Sequence, residues 1–582
     1  MNMLNNGYLY PNKKEIKVDS DSVPLNDYPR PNLKRDSNIC LNGAYDIEIK
    51  KDESFPNRYL QRAMVPYAVE SPLSGVNHLL EPDEYIFYHR VIKIPEGFNR
   101  GKLILHFDGV DQKAKIYFER TLVYEHLGGY TPFEVVIPST LPSSFNLTVV
   151  VQDVTDSSYH TRGKQVLNPT GWFYSSSSGI YKPVWIESVP EHYIRNVLFY
   201  PDYDKKKVDV LPLTDIDGDV KVVIEGKEHV IKANQRTSIP LISFNPWSAD
   251  NPYLYDVSLS FFDDRVTSYF GVRKIEIREE DGFKRLFLND RKIFLSGLLD
   301  QGYYYQGNLT PKSYDDYLFD IRKAKELGFN MLRVHIKIEN PLFYYYADRE
   351  GMILIQDFPC GGEEYEFKSV VLPRLLPCIS DEKHLNKAKV GRDDINGRKE
   401  FEDEVSQYLP YLNNYPSILI YTIFNEGWGE FEPNRIYHEL KEKDSLHLYD
   451  TASGWYDADS DFHSIHTYSF PSMKRKDKKK RCFAISEMGG LGYKINSHSY
   501  FPGFFGHGKT KSKEVLKKKF IDLYLNKLLP QIKKNGLCLL VYTQLSDCET
   551  EYNGLYTFDR EELKIDKETI VDINKKLYEE LN

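Results

Sequence analysis

Two glutamates stand where a carboxylate can do chemistry. The apolar run Ser417-Ile-Leu-Ile-Tyr-Thr-Ile-Phe424 leads into Asn425-Glu426-Gly427-Trp428, and Cys482-Phe-Ala-Ile-Ser486 leads into Glu487-Met488-Gly489-Gly490. Each run reads as a buried strand, which places each glutamate at a carboxyl end with a glycine close behind, where ligand or backbone can approach. Paired carboxylates are the equipment of glycoside hydrolysis, one serving as acid and base, the other as nucleophile or as base toward water. Taken singly, either could be a salt-bridged strand cap. Taken together, with Asn425 beside one and Trp428 nearby, they point to catalysis. A metal-dependent hydrolase is the competing chemistry, drawing on His335, His463 and His466, whose spacing fits no common metal motif.

Strand ends of this kind belong to a chain in which strands and helices alternate. Strands are predicted at 293–298, 331–334, 353–356, 418–424, 464–466, 483–486 and 537–543, with helices at 314–327 and 341–350. That rhythm suggests a (β/α)8 TIM barrel over 281–582, with its chemistry at the carboxyl ends of the strands. Upstream, short alternating strands at 102–107, 114–118 and 147–152, punctuated by Gly, Pro, Asn and Asp, predict an antiparallel β-sandwich over 37–192. Candidate strands at 207–211, 220–224 and 254–261 give 193–280 the length of an immunoglobulin-like β-sandwich. Residues 1–36, polar and Pro-punctuated, read as an arm that wraps another part of the molecule.

Composition narrows the partners. Among 582 residues, 76 Lys and Arg against 85 Asp and Glu give a net charge of −9, which offers no general attraction to nucleic acid or an anionic membrane. The one strongly basic run, 474–481, reads as a solvated loop. Six cysteines are scattered without close ligand-type pairs, so neither a disulfide framework nor a structural zinc site is expected. No stretch approaches the roughly 20 apolar residues of a membrane span, and the first 21 residues lack a signal-type apolar core. The expectation is a cytoplasmic, soluble protein; association into a homo-oligomer is left open.

At Asn425-Glu426 and Glu487-Met-Gly-Gly the sequence resembles glycoside hydrolase family 2, which contains β-galactosidases, β-glucuronidases and β-mannosidases. Tyr28-Pro-Arg-Pro, Val65-Pro-Tyr-Ala-Val-Glu-Ser71, Phe107-Asp-Gly-Val-Asp111, Gly128-Gly-Tyr-Thr-Pro-Phe133 and the segment from Ser178-Gly-Ile180 to Val184-Trp185 resemble that family's sugar-binding jelly roll. Asn251-Pro-Tyr-Leu-Tyr255 and Tyr269-Phe-Gly-Val-Arg273 resemble its immunoglobulin-like domain. Gly328-Phe-Asn330 to Arg333 is similar to its second barrel strand, and Asn553-Gly-Leu-Tyr-Thr-Phe-Asp-Arg560 to the segment after the eighth.

The resemblance implies a retaining exo-β-glycosidase in which Glu426 is the acid/base and Glu487 the nucleophile. It implies Arg333 as the fixed cation beside Glu487, Asn425 as donor to the sugar 2-hydroxyl, and Tyr468 as hydrogen-bond partner of the nucleophile. His335, Gln301, Trp428, Tyr542 and Trp172 complete the expected substrate-binding set. Trp428 and Tyr542 either offer apolar faces to a sugar or pack in the core. Trp172 and Tyr174, in the loop 165–178, either wall the terminal-sugar subsite or fill the interdomain seam. No cofactor is required, although a divalent ion in a supporting role is compatible with the family.

Departures from the family pattern concern the sugar. Where β-glucuronidases carry Asn-x-Lys for the uronate carboxylate, this chain has Glu551-Tyr552-Asn553. The usual strand-one His is represented by Asp300-Gln301, and the Trp after strand eight by Tyr542 or Gln544. β-Galactoside is the leading substrate by resemblance only because it is common in the family. A mannoside, a uronide, a modified plant sugar, or a catalytically inactive carbohydrate-binding protein are the alternatives.

Overall fold

The computed structural model describes residues 18–19, 21–371, 386–468, 477 and 479–581. Parts of the expected arm 1–36 and of the basic run 474–481, and all of Cys378, lie outside them.

Apolar alternation builds the first layers. In Lys113–Phe118 and Phe133–Ile137 every second residue is buried, as strands with one face on a core require. A six-stranded antiparallel sheet containing Gly43–Lys50, Tyr85–Lys93 and Ser144–Gln152 faces a four-stranded one built on Lys102–Phe107 and Val184–Val189. Ile47, Val149, Leu105 and Ile186 share the core between them. A second sandwich follows, with Ile194–Asp202, Lys207–Thr214 and Thr237–Pro240 in one sheet and Lys227–Lys232, Asp219–Ile224, Tyr255–Phe261 and Asp264–Phe270 in the other. Its core holds Val197, Val208, Val222 and Leu259. Arg35 ties the two sandwiches together, pairing with Glu187 of the first at 3.0 Å and Asp264 of the second at 2.8 Å. All three side chains are buried, so removing one partner would strand a charge at a cost of about 3–5 kcal/mol.

Eight parallel strands then form the barrel: β1 (Leu295–Asp300), β2 (Met331–Val334), β3 (Ile353–Asp357), β4 (Ile418–Asn425), β5 (Leu448–Ser453), β6 (Phe462–Thr467), β7 (Cys482–Gly489) and β8 (Leu537–Thr543). Their hydrogen-bonded order is 5-4-3-2-1-8-7-6. Between β5 and β6 the contact is a loop bond, Asp461 N–H to the Tyr449 carbonyl at 3.1 Å. Apart from His463, the barrel strands are buried along their whole length, as helices outside and side chains inside demand. β5 is the strand that apolar patterning does not predict, and β1 begins two residues later than expected.

Helix Pro341–Glu350 shows how local signals set an element. Asn340 caps it by accepting the Leu342 N–H at 2.9 Å, proline opens it, and Gly351 ends it at φ 71°.

A three-stranded sheet, Ile275–Glu280, Phe283–Leu288 and Arg291–Ile293, plugs the amino-terminal end of the barrel. Its Leu286 and Leu288 join Leu295, Met331, Ile353 and Leu539, mostly from the early part of their strands, in one core. The barrel is therefore open only at the carboxyl ends. A loop of the first sandwich lies across that opening. Arg162 and Gly361 exchange backbone hydrogen bonds of 3.1 and 3.0 Å, while His160 and the Thr161 N–H both bond Glu400, at 2.7 and 3.0 Å. No helix among the described residues is long and apolar enough to cross a membrane.

Candidate active site

β4 ends in a turn that lifts Glu426 out of the strand. Glu426 sits at φ 56°, a left-handed conformation a non-glycine residue adopts only under constraint, and Gly427 follows at φ 78°. The Glu426 N–H bonds the Ser453 carbonyl at 2.7 Å and the Trp428 N–H returns to Asn425 at 3.0 Å, which holds the turn. Tyr456 packs where a Cβ on residue 427 would lie, so the glycine is required there.

Glu487 lies within β7 rather than after it. Register shifts occur on both sides of this stretch, between Ile465 and His466 toward β6 and between Ile485 and Met488 toward β8. Such irregularities re-aim side chains, and here Glu487 lines the cavity at the barrel mouth together with Glu426. One carboxylate oxygen of each glutamate and a ring nitrogen of His466 all lie within 4.8 Å of one another. His466 lies between them, with Nδ1 2.8 Å from Glu426 and with Nε2 hydrogen-bonded to the Ser453 hydroxyl at 3.0 Å and 3.7 Å from Glu487. The Glu426 side chain is 24% exposed and that of Glu487 5%, so only Glu426 has open access to water.

Arg333 organises the floor beneath the pair. Its Nε donates to Asp357 at 3.0 Å, Nη1 to the Ser486 carbonyl at 3.0 Å and to Glu487 at 3.2 Å, and Nη2 to the Asn425 Oδ1 at 3.0 Å. The last bond fixes the Asn425 amide, leaving its NH2 as the remaining donor. The Tyr468 hydroxyl donates to the other oxygen of Glu487 and its ring stacks on His507. Burial alone would push the Glu487 carboxyl up, but the surrounding His466, His335 and Arg333 hold it well below the usual carboxylate range. His335, with Nδ1 2.7 Å from Asp357, is itself pushed down by burial to about 4 and is neutral at pH 7. Arg333 therefore supplies a charge on Glu487 that persists at neutral pH.

Of the residues expected at the site, Glu426, Glu487, Asn425, Tyr468, Gln301, Trp428 and Trp172 line the cavity. Arg333 and His335 lie beneath it, buried, and act on Glu487 rather than on a ligand. Tyr542 is a correction. Successive residues of β8 face opposite ways, and Thr543 and Val541 point inward while Tyr542 packs outward on Phe520 and Tyr524. Its ring also occupies the space a side chain at Gly489 would need. Tyr174 is likewise buried, its ring tilted against Tyr303 and its hydroxyl on Glu551. The histidines of the metal reading part company: His335 bonds Asp357 and His463 lies against Phe483. Two groups of metal-ligand type occur among the described residues, Glu426–His466–Glu487 and His498–Asp559–Glu561.

Sequence reasoning did not reach Lys164, Thr543, Phe173, Tyr365, Trp455 or His507, all of which line the cavity. Loop residues such as Lys164 carry no periodic signal, and their place depends on how the sandwich meets the barrel. A wider groove between the second sandwich and helix Pro341–Glu350 is lined by no barrel-strand ends.

The sequence also matches known proteins. The family model for glycosyl hydrolases family 2 matches residues 193–273. A β-galactosidase of Thermoanaerobacter pseudethanolicus is 29% identical over 380 residues, covering 58% of this chain and 49% of that protein. Along these stretches the chain is similar to glycoside hydrolase family 2. A β-glucuronidase of Streptococcus agalactiae is 22% identical over 423 residues, 66% of each chain. Among solved structures, a β-glucuronidase from an uncultured Clostridium sp. superposes with a TM-score of 0.70 at 17% identity, over 94% of this chain and 99% of that one. A galacturonate-bound family-2 β-galacturonidase from Eisenbergiella tayi gives 0.67 at 18% identity, over 95% and 99%. These superpositions establish the multidomain fold of β-sandwiches and barrel. The chain spans about half the length of the first curated β-galactosidases it matches.

Proposed function

We propose that this chain is a family-2 retaining exo-β-glycosidase that removes a terminal β-linked neutral sugar, with β-galactoside as the leading substrate. The observation that carries the reading is the pair Glu426 and Glu487, with carboxylate oxygens within 4.8 Å on one cavity. Retaining enzymes hold their carboxyls about 5 Å apart, whereas inverting ones need room for a water between them.

In this reading Glu487, kept ionised by Arg333, attacks the anomeric carbon while protonated Glu426 donates to the departing oxygen. A glycosyl-enzyme results. Glu426, now ionised, takes a proton from water as that water attacks, and Glu487 leaves. Asn425 is placed to donate to the 2-hydroxyl, a bond that strengthens as positive charge develops on the ring. The chemistry uses carboxylates alone and calls for no cofactor, a divalent ion having at most a supporting part. Trp172, brought over the mouth by the sandwich, closes one side and favours action at chain ends.

A uronide is the second reading, favoured by Lys164 in the cavity and opposed by Glu551 beside it. Proton NMR of the first-formed sugar tests the mechanism. A β-configured product from a β-glycoside is expected, and an α-configured first product would refute double displacement.

A further inference from the structure

Lys164 and Glu551 line the same cavity as the glutamate pair, yet the reaction above uses neither. Lys164 enters from outside the barrel, two residues after Arg162. Its carbonyl accepts the Tyr174 N–H at 3.0 Å and its ammonium lies 5.9 Å from the Tyr174 ring centre. Glu551 follows β8 and is 2% exposed. Its Oε2 accepts from the Tyr174 hydroxyl and its Oε1 from Asn553 at 2.8 Å. Tyr174 thus braces both members.

Among the described residues Lys164 forms no ion pair within 4.0 Å. Its charge nevertheless acts on Glu551, Glu487 and His335. A cation and a carboxylate therefore face one cavity without closing on each other. Each Glu551 oxygen has one lone pair beyond the bond it accepts, and an ammonium has three donors.

The barrel suggests which end of a sugar they meet. β4 and β8 are four strands apart in a ring of eight, so the loop that carries Glu551 leaves the barrel across the mouth from the end of β4. The leaving group departs on the side where Glu426 protonates it. The Lys164 side therefore receives the part of the terminal sugar farthest from the anomeric carbon. A hydroxyl satisfies both groups at once, accepting from the ammonium and donating to the carboxylate. A uronate carboxylate would satisfy Lys164 but face Glu551, charge against like charge in a poorly solvated site.

We propose that Lys164 and Glu551 form a clamp on one hydroxyl at the non-reducing side of the terminal sugar, and that this clamp selects neutral over acidic sugars. The inference rests on the glycosidase reading above. Its test uses the full chain, Lys164→Met and Glu551→Gln. The substrates are the best-cleaved nitrophenyl β-glycoside of a gluco, galacto and manno set, its 4-deoxy and 6-deoxy analogues, and the corresponding uronide. Each substitution is expected to lower kcat/KM on the parent glycoside about 100-fold, and to cost little more on the one analogue that lacks the clamped hydroxyl. Glu551→Gln is also expected to raise uronide turnover relative to the parent by about tenfold, since it removes the opposing charge. Equal losses on the parent and both deoxy analogues would overturn the clamp, as would unchanged kinetics. A wild type that prefers the uronide, with that preference abolished in Lys164→Met, would show that Lys164 reads a carboxylate instead. Melting temperatures with the free neutral sugar and its uronic acid give a readout independent of turnover. If no glycoside is cleaved yet the neutral sugar stabilises wild type and not Lys164→Met, the clamp stands and the hydrolase reading falls. If neither sugar acid nor neutral sugar discriminates wild type from Lys164→Met, the clamp falls.

Discussion

Replacing Arg333 by methionine tests the electrostatics of the site. The guanidinium side chain is 0% exposed and stands 3.2 Å from Glu487. At an effective dielectric constant of about 20, unit charges at that distance attract by about 5 kcal/mol. That corresponds to about three to four pKa units. Without it, burial acts on Glu487 with less opposition and its carboxyl rises. Water entering the vacated space, and His335 taking up a proton beside the unpaired Asp357, offset part of the change, so a net rise of about two units is expected. Because the nucleophile must be ionised, the acid limb of kcat/KM should move upward by that amount in Arg333→Met and far less in Arg333→Lys, which keeps the charge. The assay is a pH profile of kcat/KM on the best nitrophenyl glycoside from about pH 4 to 8, with melting temperatures to confirm folding. An acid limb that stays in place while kcat alone falls would refute the electrostatic argument and leave Arg333 as a positioning group.

Further outcomes follow from the same geometry. Glu487→Gly and Glu426→Ala should both lose normal hydrolysis, with azide restoring turnover to the α-glycosyl azide in the first and the β-azide in the second; the same anomer from both would reverse the assignment. Trp172→Ala should raise KM for an aryl glycoside about tenfold with little change in melting temperature, and lost stability at constant KM would place its contribution in the seam. Asp348, bonded to the Ser417 N–H and the Tyr269 hydroxyl, both at 2.9 Å, is pushed up by burial to about 7. A raised carboxyl favours the protonated fold, so its contribution is present below the ordinary carboxylate pKa and lost as pH rises through about 7. Asp348→Asn should therefore be more stable relative to wild type at pH 8 than at pH 5, by about 3 kcal/mol, and parallel stability profiles would count against this.

Elements with clear local signals were legible from sequence: β2, helix Pro341–Glu350 and β8 begin and end where the pattern predicts. β5 was not, because Leu448-Tyr-Asp-Thr-Ala-Ser453 is half polar. Some of its polar groups find partners in the fold, Ser453 with Ser486 at 2.8 Å and the Thr451 N–H with Ser460 at 3.2 Å, which local patterning cannot foresee. The two glutamates were legible because each follows a clear apolar run in the sequence. Tyr542 misled for a related reason: it ends an apolar run just as they do, but one step of alternation turns it to the helices. Lys164 was hidden because its position depends on a contact between Arg162 and Gly362, residues 200 apart in sequence.

The bond between Tyr174 and Glu551 spans 377 residues of chain. At ribosomal rates of about 5–20 residues per second, Tyr174 is made roughly 20–75 s before Glu551. The sandwich has that interval to fold while the partner of its loop does not yet exist. A nascent chain thus carries its aromatic loop uncovered and its cavity incomplete until translation has passed β8. Ribosome-stalled chains ending before residue 537 should accordingly release no nitrophenol, and release by them would mean that the pocket assembles without its final wall.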